Sequence, residues 1–375
     1  MVKILVAGDF GPRYRVGADI QKGIYTCLDE LIPYTKDSDY SILNLESPLV
    51  DDPKERIPKA GPSLKSPMDS VKVLERSGFN CVTLANNHFR DYGDNGVCST
   101  IDTLKRHGID YVGGGHNIEE AQKILYKIIK RKKLAFVNFC ENEFSIASNN
   151  HGGSAPIDVA DNYYAIKEAK QQSDIVIVII HGGHQHYSYP DLRMKKLYHY
   201  YADIGADIII NHHQHCYSGF EVYHDVPIFY GLGNLCFDKN GYRDNSWNVG
   251  YFVKLSIGDK IGYEIIPYYQ CNHTPTVEIM KEQDKEKFEA AISDINKVIA
   301  DDAKLKDKFD EFCSFREHSV MVTFSPWSSK ILRGLAKMGI LPYFPSMRKI
   351  CNIQDYIICE SQRELAIEIL KKKIK

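Results

Sequence analysis

The sequence predicts an α/β domain followed by a mostly helical extension, and three observations predict it. Short apolar runs alternate with helix-patterned segments through the first half of the 375 residues. Side chains able to hold metals recur directly after those runs. Beyond residue 275 the short strand patterns give way to long polar helical ones. The length accommodates two or three domains at roughly 100–200 residues each.

In chain order, residues 3–7, 40–43, 80–84, 134–139, 175–180 and 207–210 are apolar runs rich in Val, Ile and Leu. Continuous rather than alternating apolar character implies strands buried on both faces. Between them, 66–77 (with Pro67 suited to a first helical turn), 96–107, 161–172 and 191–204 carry helical spacing, the alternation of an α/β fold. From 217 the style changes: 219–223, 227–230, 250–257 and 260–267 read as strands joined by short turns, with a hairpin over 256–262. Residues 278–302 are polar and helical in pattern. Charge shifts along the extension, from 8 Lys+Arg against 12 Asp+Glu over 276–318 to 10 against 4 over 319–375. The expected division is therefore 1–275, a catalytic domain, and 276–375, a helical extension.

Composition excludes several function classes. With 47 Lys+Arg against 49 Asp+Glu, a broadly basic nucleic-acid binder is not expected. The apolar run at the N-terminus is four residues, against about 7–15 for a secretory segment and about 20 for a membrane span. Ten scattered cysteines form no C-x-x-C pair and read as reduced thiols. The expected location is cytoplasmic, with peripheral contact at the inner membrane face as one reading.

The chemistry lies at strand ends. Asp9 follows the first strand, Asn44 and Glu46 the second, and Asn86, Asn87 and His88 the third. His181 ends another, and His212, His213 and His215 follow the next. Sites in open α/β sheets form at the carboxyl ends of strands, so these groups should converge. Singly, each has a structural reading: Asp9 as a turn or cap residue, Glu46 as a solvated charge, Asn86 and Asn87 as turn formers, each histidine as a hydrogen-bonded core residue. Together, two carboxylates, an amide and three imidazoles can hold two divalent ions, with a carboxylate bridging. Mixed N/O ligation suits Mn, Fe, Zn or Co better than Mg or Ca. Such ions acidify a water and neutralise charge in the transition state.

These residues carry a resemblance. Ala7-Gly8-Asp9, Asn44-Leu45-Glu46-Ser47-Pro48, Leu84-Ala85-Asn86-Asn87-His88, Tyr111-Val112-Gly113-Gly114-Gly115, His181-Gly182-Gly183, Gly205-Ala206-Asp207, His212-His213-Gln214-His215 and Phe229-Tyr230-Gly231-Leu232-Gly233-Asn234 occur in order. The chain thus resembles the CapA (PGA_cap) family of poly-γ-glutamate capsule biosynthesis, a branch of the calcineurin-like metallophosphoesterases. The resemblance covers residues 4 to about 238. It implies a four-layer α/β/β/α sandwich and a dinuclear-metal hydrolase acting on a capsule or cell-envelope polymer or its precursor. The implied metal ligands are Asp9, Glu46, Asn87, His181, His213 and His215, with His88 protonating the leaving group and His212 an alternate ligand or supporting residue. The sequence departs from Asp-x-His phosphoesterases in two places. Gly11 stands where they carry a histidine, and Glu46 where they carry a bridging aspartate. One metal site is therefore expected to be weak. A hydrolase of polymer amides or esters, or a non-catalytic scaffold of an envelope-polymer synthase, fits the same residues.

Three further segments have two readings each. Gly113–Gly115 is a tight turn into a helix or a phosphate cradle. His184, Gln185, His186, Tyr187 and Tyr189 belong to a surface loop or to a polar, aromatic cleft wall. Residues 326–349 hold Lys330, Arg333, Lys337, Arg348 and Lys349 with no acid, and either dock on the core or contact a membrane surface. Lys195 and Lys196 are expected on a solvated helix face.

Overall fold

The computed structural model of the chain describes residues 1–324, 327, 329–341, 347–358 and 360–371. The chain divides into two compact units, Met1–Leu305 and Lys306–Lys375.

The first unit is built on two sheets. In the larger, Val2–Phe10, Tyr40–Leu45, Cys81–Thr83 and Asp110–Val112 run parallel in that spatial order. On its other side, Val2–Phe10 pairs antiparallel with Val249–Ile257, which continues to Ile261–Gln270 and Val277–Ile279. Asn234–Cys236 joins the end of Val2–Phe10 in parallel. The second sheet has the order Phe220–Tyr223, Val226–Phe229, Ile208–His212, Ile175–His181, Lys132–Cys140, Leu125–Ile129.

The layering follows from which faces are apolar. Alternate residues of the first strand point opposite ways. Ile4 and Val6 join Ile177, Ile179, Ile208 and Ile210 of the other sheet in one buried cluster, so the sheets pack face to face. Leu5 and Ala7 instead meet Val16, Ile20, Val71, Leu74, Ile101 and Leu104 from helices covering the first sheet. Val176, Val178 and Ile180 meet Ile166, Ala169, Tyr198 and Tyr201 from helices Val159–Gln172 and Leu192–Ile204 on the second. The result is the four-layer α/β/β/α sandwich, and it explains the unbroken apolar strands: both of their faces are covered.

Two expectations are corrected. The boundary placed near 275 moves to Leu305. Val277–Ile279 is an edge strand of the larger sheet, and helix Glu282–Ile299 sinks Phe288, Ile292, Ile295 and Ile299 into the core. Four such side chains, each worth about 1.5–3 kcal/mol when buried, make this helix part of the domain. Lys195 is not on a solvated face. It is 8% exposed, and its Nζ donates to Ile299 O at 2.7 Å and pairs with Asp302 Oδ1 at 2.7 Å. It thereby satisfies a carbonyl at the end of that helix, where a cation is favoured. Lys196, its neighbour, is exposed. The hairpin over 256–262 is present, and the nine described cysteines are free thiols.

The second unit is helical. It takes most of Asp302–Thr323, then Lys330–Lys337, Met347–Ile358 and Glu360–Lys371. Of residues 326–349, Pro326, Ser328 and the stretch 342–346 lie outside the described residues. Among the described residues no helix is long and apolar enough to cross a membrane.

Lys195→Met leaves an acceptor at the end of helix Glu282–Ile299 without its charged donor. Urea denaturation should show a loss of about 1.5–3 kcal/mol, the range for a hydrogen bond from a charged group. Lys196→Met should stay within about 0.5 kcal/mol of the parent, and equal effects from the two would remove Lys195 from the cap.

Candidate metal centre

Asp9 is aimed by a bulge. Ala7 pairs with Leu43, but Asp9 pairs with Asn44, so Gly8 is an extra residue on the first strand. Only glycine fits there, because a Cβ on it would lie 2.0 Å from Gly233 O. Glu46 follows the last residue of Tyr40–Leu45. The turn after Cys81–Thr83 is held by Asn86, whose Nδ2 donates to Leu45 O at 2.8 Å and whose Oδ1 accepts from His88 N. Asn87 and His88 are thereby presented to the cleft. His181 closes Ile175–His181 and His212 closes Ile208–His212. Beyond it the chain kinks, with His213 at φ 99° and His215 at φ 58°. Left-handed backbone at non-glycine residues costs of order 1–3 kcal/mol, and it clusters at functional sites.

All six expected ligands converge at the mouth between the sheets. His181 Nε2 lies 3.2 Å from Asn87 Oδ1, 3.0 Å from His213 Nδ1 and 3.8 Å from Glu46 Oε1. His215 Nε2 lies 3.4 Å from the same Glu46 oxygen. Ligand atoms that each sit about 2.0–2.2 Å from one ion stand about 3–3.6 Å from one another; three of these spacings fall in that range and the His181–Glu46 distance lies just beyond it. Two groups result, Glu46/His181/His213 and Asp9/Glu46/His215, and they share Glu46.

The electrostatics are compatible with a bound cation. Glu46 is fully buried, and neither carboxylate oxygen has a hydrogen-bond partner. Burial first, and then the charge of Asp9, push its pKa well above the usual carboxylate range. Burial acts the same way on Asp9, but the hydrogen bond and charge of His212, with His181 and His215, outweigh it and hold that carboxyl well below its usual value. Burial lowers His181, His213 and His215, the last to about 3. Neutral imidazoles and an unpartnered buried carboxylate are what a divalent ion needs and what an empty core does not tolerate.

Supporting residues fix the ligand atoms. His215 Nδ1 is 2.9 Å from Asn234 Oδ1, and Asn234 is itself tied through Nδ2 to His215 O and Trp247 O. That hydrogen bond keeps the proton on Nδ1 and leaves Nε2 facing Glu46. Asn87 Nδ2 donates to Glu143 Oε2 at 3.3 Å, which turns Oδ1 inward. Asn44 Nδ2 donates to Asp9 Oδ1 at 2.8 Å and lies 3.2 Å from His181 Nδ1. His212 Nδ1 is 3.2 Å from Asp9 Oδ1 and belongs to neither ligand group.

His88 is buried near the same centre with a separate support. Its Nδ1 is 2.6 Å from Asp91 Oδ2, which also accepts from Leu64 N at 2.6 Å. Asp91 Oδ1 pairs at 2.5 Å with Lys59, whose side chain is 3% exposed. Sequence reading missed Asp91, Lys59, Glu143 and the positioning role of Asn234. The spacing His88-x-x-Asp91 was available as a signal. Nothing in the charged stretch 51–65 singles out Lys59.

Gly11 has a structural reason. A Cβ there would lie 2.6 Å from the Phe237 ring, which packs edge-on to His215 at 5.1 Å beside Trp247. Of the ambiguous segments, Gly114–Gly115 is neither turn nor cradle but a two-residue strand paired with Gly153–Ser154, and it leads to helix Ile118–Ala121, capped by Asn117 through Glu120 N. His184 pairs with Asp191, the cap of helix Leu192–Ile204, at 3.1 Å.

Residues 3–239 match the model of the bacterial capsule synthesis protein PGA_cap family, and the chain belongs to that family. It is 34% identical over 219 residues to capsule biosynthesis protein CapA of Bacillus anthracis, covering 56% of this chain and 53% of that one. To PGA biosynthesis protein CapA of Bacillus subtilis it is 33% identical over 246 residues, 64% and 65% of the two chains. It thus spans between half and two thirds of these relatives. Among solved structures, a hypothetical protein from Thermus thermophilus aligns with a TM-score of 0.45 and 12% identity over 71% of this chain and 99% of that one. The 5'-nucleotidase precursor from the same organism gives 0.39 and 11%, over 80% and 59%.

The lowered imidazoles set a pH response. Each is neutral in the folded chain and titrates near 6.5 when unfolded, so below that value the unfolded state binds more protons and stability falls with pH. Glu46, raised in the fold, acts oppositely, but three imidazoles outnumber it. Chelator-treated protein should lose thermal stability from pH 7 to pH 5, by up to about 1.4 kcal/mol per pH unit for each imidazole. His215→Gln should flatten the slope, and a rise in stability on acidification would contradict the reading.

The two ligand groups also differ in composition. Glu46, His181 and His213 have the Asn87 amide beside them, whereas Asp9, Glu46 and His215 gain nothing from Gly11. Elemental analysis should find more bound metal lost in His181→Ala than in Asp9→Ala; the reverse order would count against this ranking.

Proposed function

We propose that the chain is a metal-dependent hydrolase of capsule or cell-envelope polymer biosynthesis, in which Asp9, Glu46, Asn87, His181, His213 and His215 would hold two divalent ions. The supporting observation is that Glu46, buried and without a donor, is common to both ligand groups. The names of the relatives, capsule and PGA biosynthesis proteins, support the polymer assignment. When bound, such ions supply Lewis acidity toward a substrate oxygen and a water of lowered pKa.

The protein's own residues supply the rest. Asn234 and Glu143 orient His215 and Asn87, so that their lone pairs face the cleft before any ion arrives. Asp91 accepts from His88 Nδ1, and Lys59 and Leu64 N hold both Asp91 oxygens in place. His88 Nε2 is then the atom that delivers a proton to the departing group, and its Nδ1 side is stabilised as the ring exchanges charge. Burial lowers the His88 pKa, and the hydrogen bond and charge of Asp91 oppose that shift, so Asp91 favours the protonated ring and holds it in one orientation throughout the step.

A second reading of the bond cleaved, an amide or ester of the polymer, is favoured by one feature. Glu141 and Glu143 lie beside the centre, with Glu141 Oε2 accepting from Gly183 N and Glu143 on the Asn87 amide. Carboxylates there suit an acyl group better than a doubly charged phosphate.

His88→Ala should keep metal content near that of the parent while lowering turnover of a substrate with a poor leaving group about 10²–10⁴-fold, the usual worth of a positioned acid. Normal metal content with unchanged turnover would remove His88 from the mechanism. Full metal occupancy with no turnover of phosphodiester, ester or amide probes by the parent would favour a scaffold.

A further inference from the structure

The second unit carries a surface that the hydrolase does not use. Residues 306–375 hold 13 Lys+Arg against 8 Asp+Glu, and no acidic residue lies between Glu317 and Asp355, a stretch with five basic ones. Helix Lys330–Lys337 sorts its side chains by face. At about 100° per residue, Ile331, Leu332, Leu335 and Ala336 fall on one side and Lys330, Arg333 and Lys337 on the other. Ala336 is buried, but Ile331 is 77% exposed, and Met338 and Ile340 just beyond the helix are 66% and 63% exposed. The three basic residues are exposed and form no ion pair among the described residues. Nearby in sequence, Met347, Leu365 and Leu370 are exposed as well. A groove of about 480 Å³ between Met347–Ile358 and Glu360–Lys371 has Ile353, Ile357 and Ile367 in its lining, with Lys349 and Arg363.

We propose that this unit is a peripheral anchor for an anionic lipid surface. Ile331, Met338 and Ile340 enter the boundary between headgroups and acyl chains, and Lys330, Arg333 and Lys337 lie against lipid phosphates. Charge decides the occupant. A second copy that met this face with its own would bring one net-positive unit against another, whereas an anionic leaflet complements a face that is basic and apolar without an acid. Lysine and arginine stems reach past apolar neighbours and keep their charged ends at the headgroup level. The helix is eight residues long, so the contact is shallow and reversible, and it weakens as salt shortens the Debye length. The anchor is separate from the metal centre and stands whether or not the hydrolase reading does.

The test is co-sedimentation of the full chain with phosphatidylcholine vesicles, with and without phosphatidylglycerol. The expected result is at least about tenfold more binding to the anionic vesicles at low salt, lost near 0.5 M salt and unaffected by chelator. The triple variant K330E/R333E/K337E, changed only at exposed positions and with an unaltered circular dichroism spectrum, should not bind. Ile331→Ser with Met338→Ser should bind more weakly. Equal binding to both vesicle types, no binding, or parent-like binding by the triple variant would overturn the proposal. So would slow labelling of the introduced thiol in Ile331→Cys, read at that peptide by mass spectrometry in the lipid-free protein: concentration-independent slowing means that the chain itself covers the face, and concentration-dependent slowing means that a second copy does.

Discussion

Glu46 is a carboxylate buried away from solvent, with no hydrogen-bond donor and a second carboxylate, Asp9, beside it. A buried carboxylate with no partner costs several kcal/mol, unless it takes up a proton or a cation. Everything around it is arranged so that neither a lysine nor an amide relieves it. Asn44 donates its amide to Asp9, and Asn87 turns its oxygen inward and its nitrogen to Glu143. Lys59, a buried cation, is held behind His88 on Asp91. Burial lowers His181, His213 and His215, which disfavours a positive charge on those rings. A divalent ion answers all of these conditions at once, which is why the electrostatics and the geometry lead to the same centre.

The fold can hold that arrangement because its strands are continuous apolar runs. Strands fixed on both faces leave their ends as rigid mounts, and the polar groups there take positions that loops alone would not hold. What strain there is stays local: the bulge at Gly8 and the left-handed residues His213 and His215 lie at the centre itself. Val2–Phe10 is the pivot of the design. It pairs with both neighbours in the larger sheet and, past the bulge, with Asn234–Cys236, so that Asp9 and the residue that fixes His215 are direct neighbours.

Much of this was legible in the sequence, and for physical reasons. Apolar runs with metal-competent residues directly after them encode both the strands and the convergence of their ends. Residues acting through a second residue were not legible, since Lys59 and Glu143 differ from surface charges only by what surrounds them. Lys195 reads as solvated until helix Glu282–Ile299 is placed with its last carbonyls over it. That same helix displaced the domain boundary. Its composition is polar, and the core-facing Phe288, Ile292, Ile295 and Ile299 occupy a single stripe within eighteen residues. Average polarity hides such a stripe, while three- and four-residue spacing reveals it.

The asymmetry between the two ligand groups is likewise a property of packing, beyond the identity of one residue. At Gly11 the chain comes close enough to Phe237 that any side chain would enter its ring. Phe237 in turn packs edge-on against Trp247 at 5.4 Å, both rings bear on His215, and Trp247 Nε1 donates to Phe237 O at 2.7 Å. An imidazole could be restored at position 11 only by dismantling the wall that holds a ligand of the same group. The aromatic wall and the missing histidine are therefore alternatives. This chain has taken the one that keeps His215 rigid and dry, and it forgoes a ligand beside Asp9. A group with fewer protein ligands would keep more coordination positions for water or substrate, which is what the proposed hydrolase would need of one side of its centre.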